Sequence, residues 1–308
     1  MSISVSTALP VPVRANNCDD PPEILGFALD ALGRGDAALA TLVEITGGAA
    51  RSLGAHLAIS ANGNYCGYLS GGCIEAAVAA EALRAMAEGC DRVVKYGEGS
   101  PYFDIVLPCG GGVTIAIHLL RAAEPLETVL KRVADRQTAA LCYDPKRQTL
   151  TRSESVPSRS GVREGYFVTV YRPKTRVVIS GQTAEADAVS RLAQVSGYDV
   201  QLLSSSKELG AIEIDKFTAV VLLHHDLDLE ADALQHALAS HAFYIGALGS
   251  TRTHRRRTEL LRVAGVSSEN IERIRAPIGL FGPTRDAASL ALSVLADVAA
   301  ARLEFFPS

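Results

Sequence analysis

The chain has 308 residues and a formal net charge of −4, with 48% hydrophobic and 21% charged residues. This balance excludes a disordered chain and the strongly basic surface of a nucleic-acid-binding protein. The length predicts two domains. Six cysteines occur, none in a Cys-x-x-Cys pair. That pattern favours reduced thiols in a cytoplasmic protein over a disulfide framework.

Neither a targeting signal nor a membrane span is predicted. Residues 1–17 contain two prolines and no continuous apolar segment, which indicates a loose arm rather than a signal peptide. The longest apolar stretches, 113–120 and 218–223, are far shorter than the roughly 20 residues that cross a bilayer.

The first half of the chain is predicted to mix helices and strands. Asp20 precedes two prolines and Glu23, a pattern typical of a helix start, and either Gly33 or Gly35 ends that helix. Asn62-Gly63 predicts a hairpin turn. Further helices are predicted at 73–87 and 125–135, and strands at 39–46, 55–60, 65–69, 113–120, 138–143, 149–152 and 166–171.

After Arg172-Pro173-Lys174, short apolar strands alternate with helices. The predicted strands are 176–180, 199–203, 217–224 and 243–248, and the predicted helices between them are 184–196 and 230–239. This alternation is typical of a parallel sheet with crossover helices. We therefore predict an α/β protein, with an N-terminal mixed α+β domain (1–172) followed by a Rossmann-like domain with a mainly parallel sheet (173–308).

The first candidate site is the segment Ser70-Gly71-Gly72-Cys73, followed by Glu75. Two glycines before a predicted helix leave backbone N–H groups free, and the helix dipole favours an anion there. Cys73 would place a reactive thiol at the first turn of that helix. The alternative is an ordinary strand-to-helix turn with a small buried cysteine.

The second candidate site is Cys109-Gly110-Gly111-Gly112. Three successive glycines are entropically costly, which indicates either a close approach of the backbone to another group or a plain loop. Two Cys-Gly segments in one domain indicate one shared anionic or thiophilic ligand. A structural zinc site is disfavoured because four ligands at the usual spacings are missing.

The turn after the first strand of the second domain gives poor support for NAD(P). A dinucleotide fingerprint has three glycines, but here Gly181 is followed by Thr183 and Ala186 in the other two places. The end of the next strand, 202–206, has no acidic residue for the NAD ribose. Its hydroxyl groups and Lys207 would suit a phosphate instead.

His224, His225 and Asp226 follow a strand at the edge where open parallel sheets bind their ligands. The histidines would serve in metal binding, proton transfer or phosphate binding. The alternative is a helix-capping Asp226 beside solvated imidazoles.

The last candidate begins at Gly249 and Ser250 and continues through Arg252 and His254 to Arg257. Cationic side chains in the first turns of a helix oppose the helix dipole, and a bound anion would resolve the conflict. A solvated or interface surface is the alternative.

Several of these segments together resemble one family. They are 67–75, 107–111, His225-Asp226, 244–254 and 276–280. The chain resembles the accessory factors of xanthine dehydrogenase and carbon monoxide dehydrogenase from about residue 21 to residue 300.

The resemblance implies a non-catalytic chaperone of purine catabolism, with a two-domain, homodimeric chain. Such a chaperone binds the molybdenum cofactor (molybdopterin), protects it while a cysteine desulfurase sulfurates it, and delivers it to an apo-molybdoenzyme of the xanthine dehydrogenase type. The resemblance places Cys73 and Cys109 near the metal or the dithiolene, and Arg252 and His254 near a phosphate. The implied cofactor-binding residues are Ser70, Gly71, Gly72, Cys73, Glu75, Cys109, Gly110, Gly111, Gly181, His225, Asp226, Gly249, Ser250, Arg252 and His254.

Two departures from the family pattern fall in the second domain. Gly181-Gln182-Thr183-Ala184 replaces the family's Gly-Ala-Gly-His, and 281–284 replaces Asp-Ile-Gly-Ala. Both weaken the case for a dinucleotide there. An NAD(P)-dependent oxidoreductase and a non-catalytic scaffold for a partner dehydrogenase remain the alternative functions.

Overall fold

The computed structural model describes residues 8–98, 100 and 110–307, with only the backbone of 206 and 207. The chain divides into two compact units, one ending at Pro173 and the other running from Lys174 to Pro307. Elements are numbered in chain order across both units.

The first unit contains two sheets and three helices. Its strands β1 to β10 are Val13–Arg14, Ala37–Thr46, His56–Ser60, Asn64–Gly67, Arg92–Gly97, Gly112–Leu119, Ala139–Asp144, Thr149–Arg152, Gly161–Arg163 and Tyr166–Tyr171. Its helices α1 to α3 are Pro21–Leu32, Glu75–Glu88 and Glu124–Ala134. The larger sheet has the order β1-β4-β3-β2-β6-β5 and the smaller one β8-β7-β10-β9. All pairings are antiparallel except that of β1 with β4.

The larger sheet is buried on both faces because apolar residues occupy both sides of its central strand β2. Ala38, Ala40 and Leu42 pack toward α2 on one face, while Leu39 packs with α1 and α3 on the other. Side chains alternate between faces along a strand, so a continuous apolar run such as this indicates a strand covered on two sides.

Several features of the first unit differ from the sequence-based expectation, among them the unpredicted strand β9. The arm is not loose throughout, since Val13 and Arg14 pair in parallel with Asn64 and Tyr65. Strand β5 was not predicted, because its charged residues interrupt the apolar pattern. The helix predicted from residue 73 begins at Glu75, with Ile74 as its N-cap.

A buried histidine contacts both sheets of the first unit. His56 on β3 forms hydrogen bonds through Nδ1 to Thr41 Oγ (3.0 Å) and through Nε2 to the hydroxyl of Tyr171 on β10 (2.5 Å). Burial lowers the pKa of His56 from 6.5 to about 4. The imidazole is therefore neutral in the folded protein at neutral pH.

Acid should destabilise the first unit through His56. Between pH 6.5 and about 4 the unfolded chain binds a proton at His56 that the folded chain does not. The free energy of unfolding therefore decreases as the pH is lowered through this window. The two pKa values give a loss of about 3 kcal/mol across the window. Urea unfolding of wild type and His56→Gln at pH 7.5 and pH 4.5 should show a smaller pH-dependent loss in the variant. Equal losses in both proteins would contradict this assignment.

The second unit is a three-layer α/β domain. Its strands β11 to β15 are Arg176–Ser180, Asp199–Leu203, Thr218–Leu222, Tyr244–Ala247 and Ile274–Arg275. Its helices α4 to α8 are Ala184–Val195, Leu227–Ala239, Thr251–Val263, Ser268–Glu272 and Ala287–Phe305, with a 3-10 helix at Ser206–Ala211. The sheet is parallel throughout, with the order β12-β11-β13-β14-β15.

Helices cover both faces of this sheet. Val177 and Ile179 pack with α4 and α8, whereas Val178 packs on the opposite face with α5. The predicted fold class, α/β with a Rossmann-like second domain, is confirmed. Within the described ranges, no helix is long and apolar enough to cross a membrane.

The longest helix, α8, was not predicted. Its core-facing residues Leu290, Val294 and Val298 are buried, but Leu292 and Leu303 on its other sides are apolar and exposed. A helix that is apolar on several sides lacks the stripe that distinguishes an amphipathic helix in a sequence.

Candidate functional site

In the first unit, the segment from Ser70 to Cys73 forms an exposed loop between β4 and α2. Gly71 and Gly72 have φ values of +92° and +121°, a backbone conformation that residues other than glycine rarely adopt. Both glycines and Cys73 are exposed. No hydrogen-bond partner is found in the described part of the chain for the backbone N–H groups of Gly71, Gly72 and Cys73. The loop therefore presents a thiol beside three free donors.

Glu75 lies beneath this loop. Its side chain is fully buried, and Oε1 accepts hydrogen bonds from the backbone N–H groups of Leu69 and Ser70, both at 2.8 Å. Oε2 accepts from the N–H of Ile74 at 3.2 Å. The carboxylate is therefore enclosed by its own loop, and the expectation that Glu75 contacts a ligand stays a prediction.

The second glycine segment approaches the same region of the sheet. The backbone of Gly111 lies so close to the turn after β2 that a side chain would not fit there. A Cβ atom added to Gly111 would lie 2.5 Å from the carbonyl oxygen of Thr46 and 2.6 Å from that of Gly48. A Cβ atom on Gly71 would lie 3.6 Å from the Cβ of Ala50. The turn that follows β2, residues 46–50, thus contacts both predicted glycine loops, and Gly110 is exposed beside it. Cys109 lies outside the described residues.

This connecting turn was missed in the sequence. Gly47-Gly48 directly after a strand is the same signal that singled out the other two glycine segments. We call the three segments 46–50, 70–73 and 110–112 the glycine cluster. These contacts support the prediction that the two Cys-Gly motifs share one site. In the second motif they concern residues 110–112.

Two arginines also missed by sequence reasoning surround Tyr68, next to the glycine cluster. The guanidinium carbons of Arg14 and Arg51 lie 4.2 and 5.4 Å from the centroid of the Tyr68 ring. Arg14 donates to the carbonyl of Gly67 (3.0 Å), and Arg51 pairs with Asp19 (3.2 Å). The Nε atom of Arg51 is buried and has no partner among the described residues. These contacts tie the N-terminal arm to the loop and bring positive charge beside it.

In the second unit, the predicted site residues lie along the carboxyl edge of the parallel sheet. A Cβ atom on Gly181, after β11, would lie 2.8 Å from the carbonyl oxygen of Leu223, after β13. His224 accepts or donates one hydrogen bond with Ser180 Oγ at 2.9 Å. Burial, followed by the neighbouring His225, lowers the pKa of His224 below its ordinary value. This is the point where the strand order reverses, and open α/β sheets bind ligands there.

The turn at this point is unsuited to a dinucleotide. Thr183 Oγ accepts a hydrogen bond from the N–H of Ala186 (3.3 Å), so the helix caps itself where a pyrophosphate would bind. The side-chain amide of Gln182 donates to the carbonyl of Ser204, which bridges the turns after β11 and β12. These contacts use the N–H of Ala186 and the side-chain amide of Gln182, and they fill space that a dinucleotide would require.

NADPH should consequently show no saturable binding. We expect fluorescence titration of the protein to remain linear up to millimolar NADPH, while a known NADPH-dependent dehydrogenase in the same buffer saturates. Saturation at micromolar concentrations would contradict the structural argument and restore the oxidoreductase alternative.

His225 and Asp226 are both exposed. The side chain of Asp226 accepts a hydrogen bond from the N–H of Asp228 at 2.9 Å and caps α5. This is the structural alternative considered for Asp226, and it also explains why α5 begins at Leu227, three residues before the predicted start.

The predicted cationic cluster on α6 is smaller than expected. Ser250 caps the helix, accepting from the N–H of Thr253, and Arg252 is exposed. Burial, followed by the nearby Arg257 guanidinium, lowers the pKa of His254, which favours the neutral imidazole. Arg257 is buried and paired with Glu230. Arg257 is thereby removed from the cationic run, whereas Arg255 and Arg256 are exposed like Arg252.

The residues that the structure describes contain no cluster of three or more His, Cys, Asp or Glu side chains able to hold a metal ion. The cysteines at 18, 66, 73, 90 and 142 are free thiols, and Cys73 is the most exposed of these five. Burial raises the pKa of Cys66 and Cys142, consistent with their structural assignment.

Comparison with known proteins defines the class of protein. Residues 32–97 match the XdhC and CoxI family, and residues 177–298 match the XdhC Rossmann domain. The chain belongs to the XdhC and CoxI family, which confirms the resemblance inferred from its motifs.

A relative carries a more specific name. The chain is 49% identical over 293 residues to the molybdenum cofactor insertion chaperone PaoD of Escherichia coli (strain K12), covering 95% of this chain and 92% of PaoD. Among solved structures, a protein described as a xanthine dehydrogenase from Bacillus halodurans superposes with a TM-score of 0.72. That match covers 91% of this chain and 96% of the other at 18% identity, and it establishes the fold alone.

Proposed function

We propose that this protein is a cytoplasmic chaperone that binds the molybdenum cofactor and inserts it into a molybdoenzyme of the xanthine dehydrogenase type. The observation that carries the proposal is the exposed Cys73 on a loop with three backbone N–H groups that have no partner among the described residues. The high identity to PaoD along almost the whole chain supports it independently.

The donor set of the glycine cluster fits this cargo. Molybdenum is a thiophilic metal, and an exposed cysteine is a suitable soft ligand. Molybdopterin also carries a phosphate, which backbone N–H groups and arginine side chains bind well. The N–H groups of Gly71, Gly72 and Cys73, for which the described residues offer no partner, supply such donors. Cys109 extends the proposed metal contacts.

Within this function, the chain's residues hold and shield the cargo rather than transform it. Cys73 would contact the metal end of the cofactor, while the amides of residues 71–73 would bind its phosphate. Exposure of the loop suits a carrier, which must release its cargo to the client enzyme. We further propose that the chain protects the cofactor while a cysteine desulfurase adds the terminal sulfur, and that it works as a homodimer. As a separate proposal for the second unit alone, Gly181, His225, Gly249, Ser250, Arg252 and His254 remain candidate cofactor-binding residues.

A transfer experiment tests the insertion function. Apo-molybdoenzyme of the xanthine dehydrogenase type is incubated with limiting molybdenum cofactor, with and without this protein, and the molybdenum content of the reisolated enzyme is measured. We expect the protein to raise the loaded fraction severalfold, and bovine serum albumin at the same concentration to have no effect. Equal loading in all samples would refute insertion. Pull-down of the enzyme without cofactor transfer would support the scaffold alternative instead.

A further inference from the structure

Glu75 is a buried carboxylate for which no cationic partner is found in the described ranges. Its exposed fraction is 0%, yet no salt bridge within those ranges involves it. An ionised group in such a place is costly unless hydrogen bonds replace its water. Three backbone N–H groups do so, from Leu69, Ser70 and Ile74, and the Ser70 hydroxyl lies 3.5 Å from both oxygens of Glu75. All of these groups can donate to the side-chain oxygens of Glu75.

The three bonds divide the loop into two parts. The N–H groups of Leu69, Ser70 and Ile74, at its two ends, point inward to the carboxylate. The N–H groups at the tip, from Gly71 to Cys73, have no partner in the described residues and are exposed. One side chain thus joins the end of β4 to the start of α2 and makes the tip protrude.

Glu75 is also unsuited to binding an anionic ligand itself. Its negative charge lies at the N-terminus of α2, where it already satisfies the positive end of the helix dipole. An external oxyanion would be repelled by this charge and could use only the amides at the tip. A role in contact with the cofactor is therefore disfavoured on both geometric and electrostatic grounds.

We propose that Glu75 is a positioning residue, which holds Cys73 and the three tip amides in the arrangement that receives the cofactor without touching it. The cofactor part of this statement rests on the proposed function. The positioning part concerns the free protein and has its own readout.

Two substitutions of Glu75 remove its hydrogen bonds to the loop partly or completely. Glu75→Gln keeps an oxygen able to accept from Leu69 and Ser70 but places an NH₂ group against the N–H of Ile74. Glu75→Ala removes both acceptor oxygens and with them all three backbone hydrogen bonds. Glu81→Gln is the matched control, since Glu81 is also buried on α2 but pairs with Arg84 and Arg92, away from the loop.

The first readout is hydrogen–deuterium exchange of the apo-protein across residues 69–74, with circular dichroism to confirm folding. We expect exchange of the amides of Leu69, Ser70 and Ile74 to rise at least about tenfold in Glu75→Ala and by less in Glu75→Gln. Glu81→Gln should leave these amides unchanged even if it lowers the melting temperature. Wild-type exchange rates in folded Glu75→Gln and Glu75→Ala, or a rise as large in Glu81→Gln, would overturn the proposal.

The second readout is the fraction of molybdenum cofactor retained after gel filtration. Retention should decrease in the order wild type, Glu75→Gln, Glu75→Ala, with Glu81→Gln equal to wild type. If wild type retains no cofactor but the exchange pattern is as expected, positioning stands and the proposed function fails. If wild type and Glu75→Ala retain it equally, the positioning role is refuted while cofactor binding stands.

Discussion

Replacing Arg257 with alanine should destabilise the second unit by about 3–5 kcal/mol, the cost of leaving one member of a buried ion pair uncompensated. Arg257 Nε donates to Glu230 Oε1 at 2.5 Å, and Nη2 donates to Oε2 at 2.9 Å and to the carbonyl of Leu248 at 2.7 Å. Both side chains are almost inaccessible, at 2% and 1% exposure. Burial raises the pKa of Glu230 despite the opposing effect of Arg257, so the carboxylate is already in an unfavourable environment.

Chemical denaturation of the purified variants measures this effect. Arg256→Ala, on the same helix but exposed, should change the unfolding free energy by less than about 0.5 kcal/mol. The double variant Glu230→Leu/Arg257→Met should recover much of the loss, because apolar residues of similar size replace a buried pair at little cost. If Arg257→Ala and Arg256→Ala had the same unfolding free energy, the ion pair would contribute nothing to stability.

Replacing Cys73 with alanine should weaken retention of the molybdenum cofactor at least about tenfold, equivalent to about 1.4 kcal/mol of binding energy. The thiol is exposed at the tip of the glycine cluster, and its removal takes away the soft ligand of the proposed site. The fold should be unaffected, because an exposed side chain contributes little to packing.

Cys90→Ala is the control for this prediction. Cys90 is a free thiol at the other end of α2, where Gly89 ends the helix, and it is remote from the loop in sequence. Molybdenum content after gel filtration should be unchanged in Cys90→Ala and reduced in Cys73→Ala. Equal retention by both variants would exclude Cys73 as a ligand.

The second unit was the more predictable half of the fold. Its strands are short, apolar and separated by helices, a pattern that has few solutions other than a parallel sheet covered on both faces. The helix α8 escaped prediction because apolar residues such as Leu292 and Leu303 lie outside its buried stripe. In the first unit, β1 is only two residues long and exists through pairing with β4, information that lies in tertiary contacts.

The candidate site was predictable by position more than by role. Glycine pairs beside cysteines identified the loop at 70–73, but the sequence does not show which way a side chain points. Glu75 and Arg257 both looked like ligand-binding charges in sequence, and both prove to be buried and bonded to the protein itself. Arg14 and Arg51 were overlooked because they come next to Tyr68 only when the arm and the turn after β2 fold together.

Native mass spectrometry would measure directly whether this chain binds the molybdenum cofactor through the Cys73 loop. Wild-type protein incubated with the cofactor and desalted should show a species heavier by the mass of one cofactor per chain, with the isotope pattern of molybdenum. Cys73→Ala treated in the same way should show mainly the unliganded mass. Only unliganded mass in folded wild-type protein, or an equally populated complex in Cys73→Ala, would contradict the account.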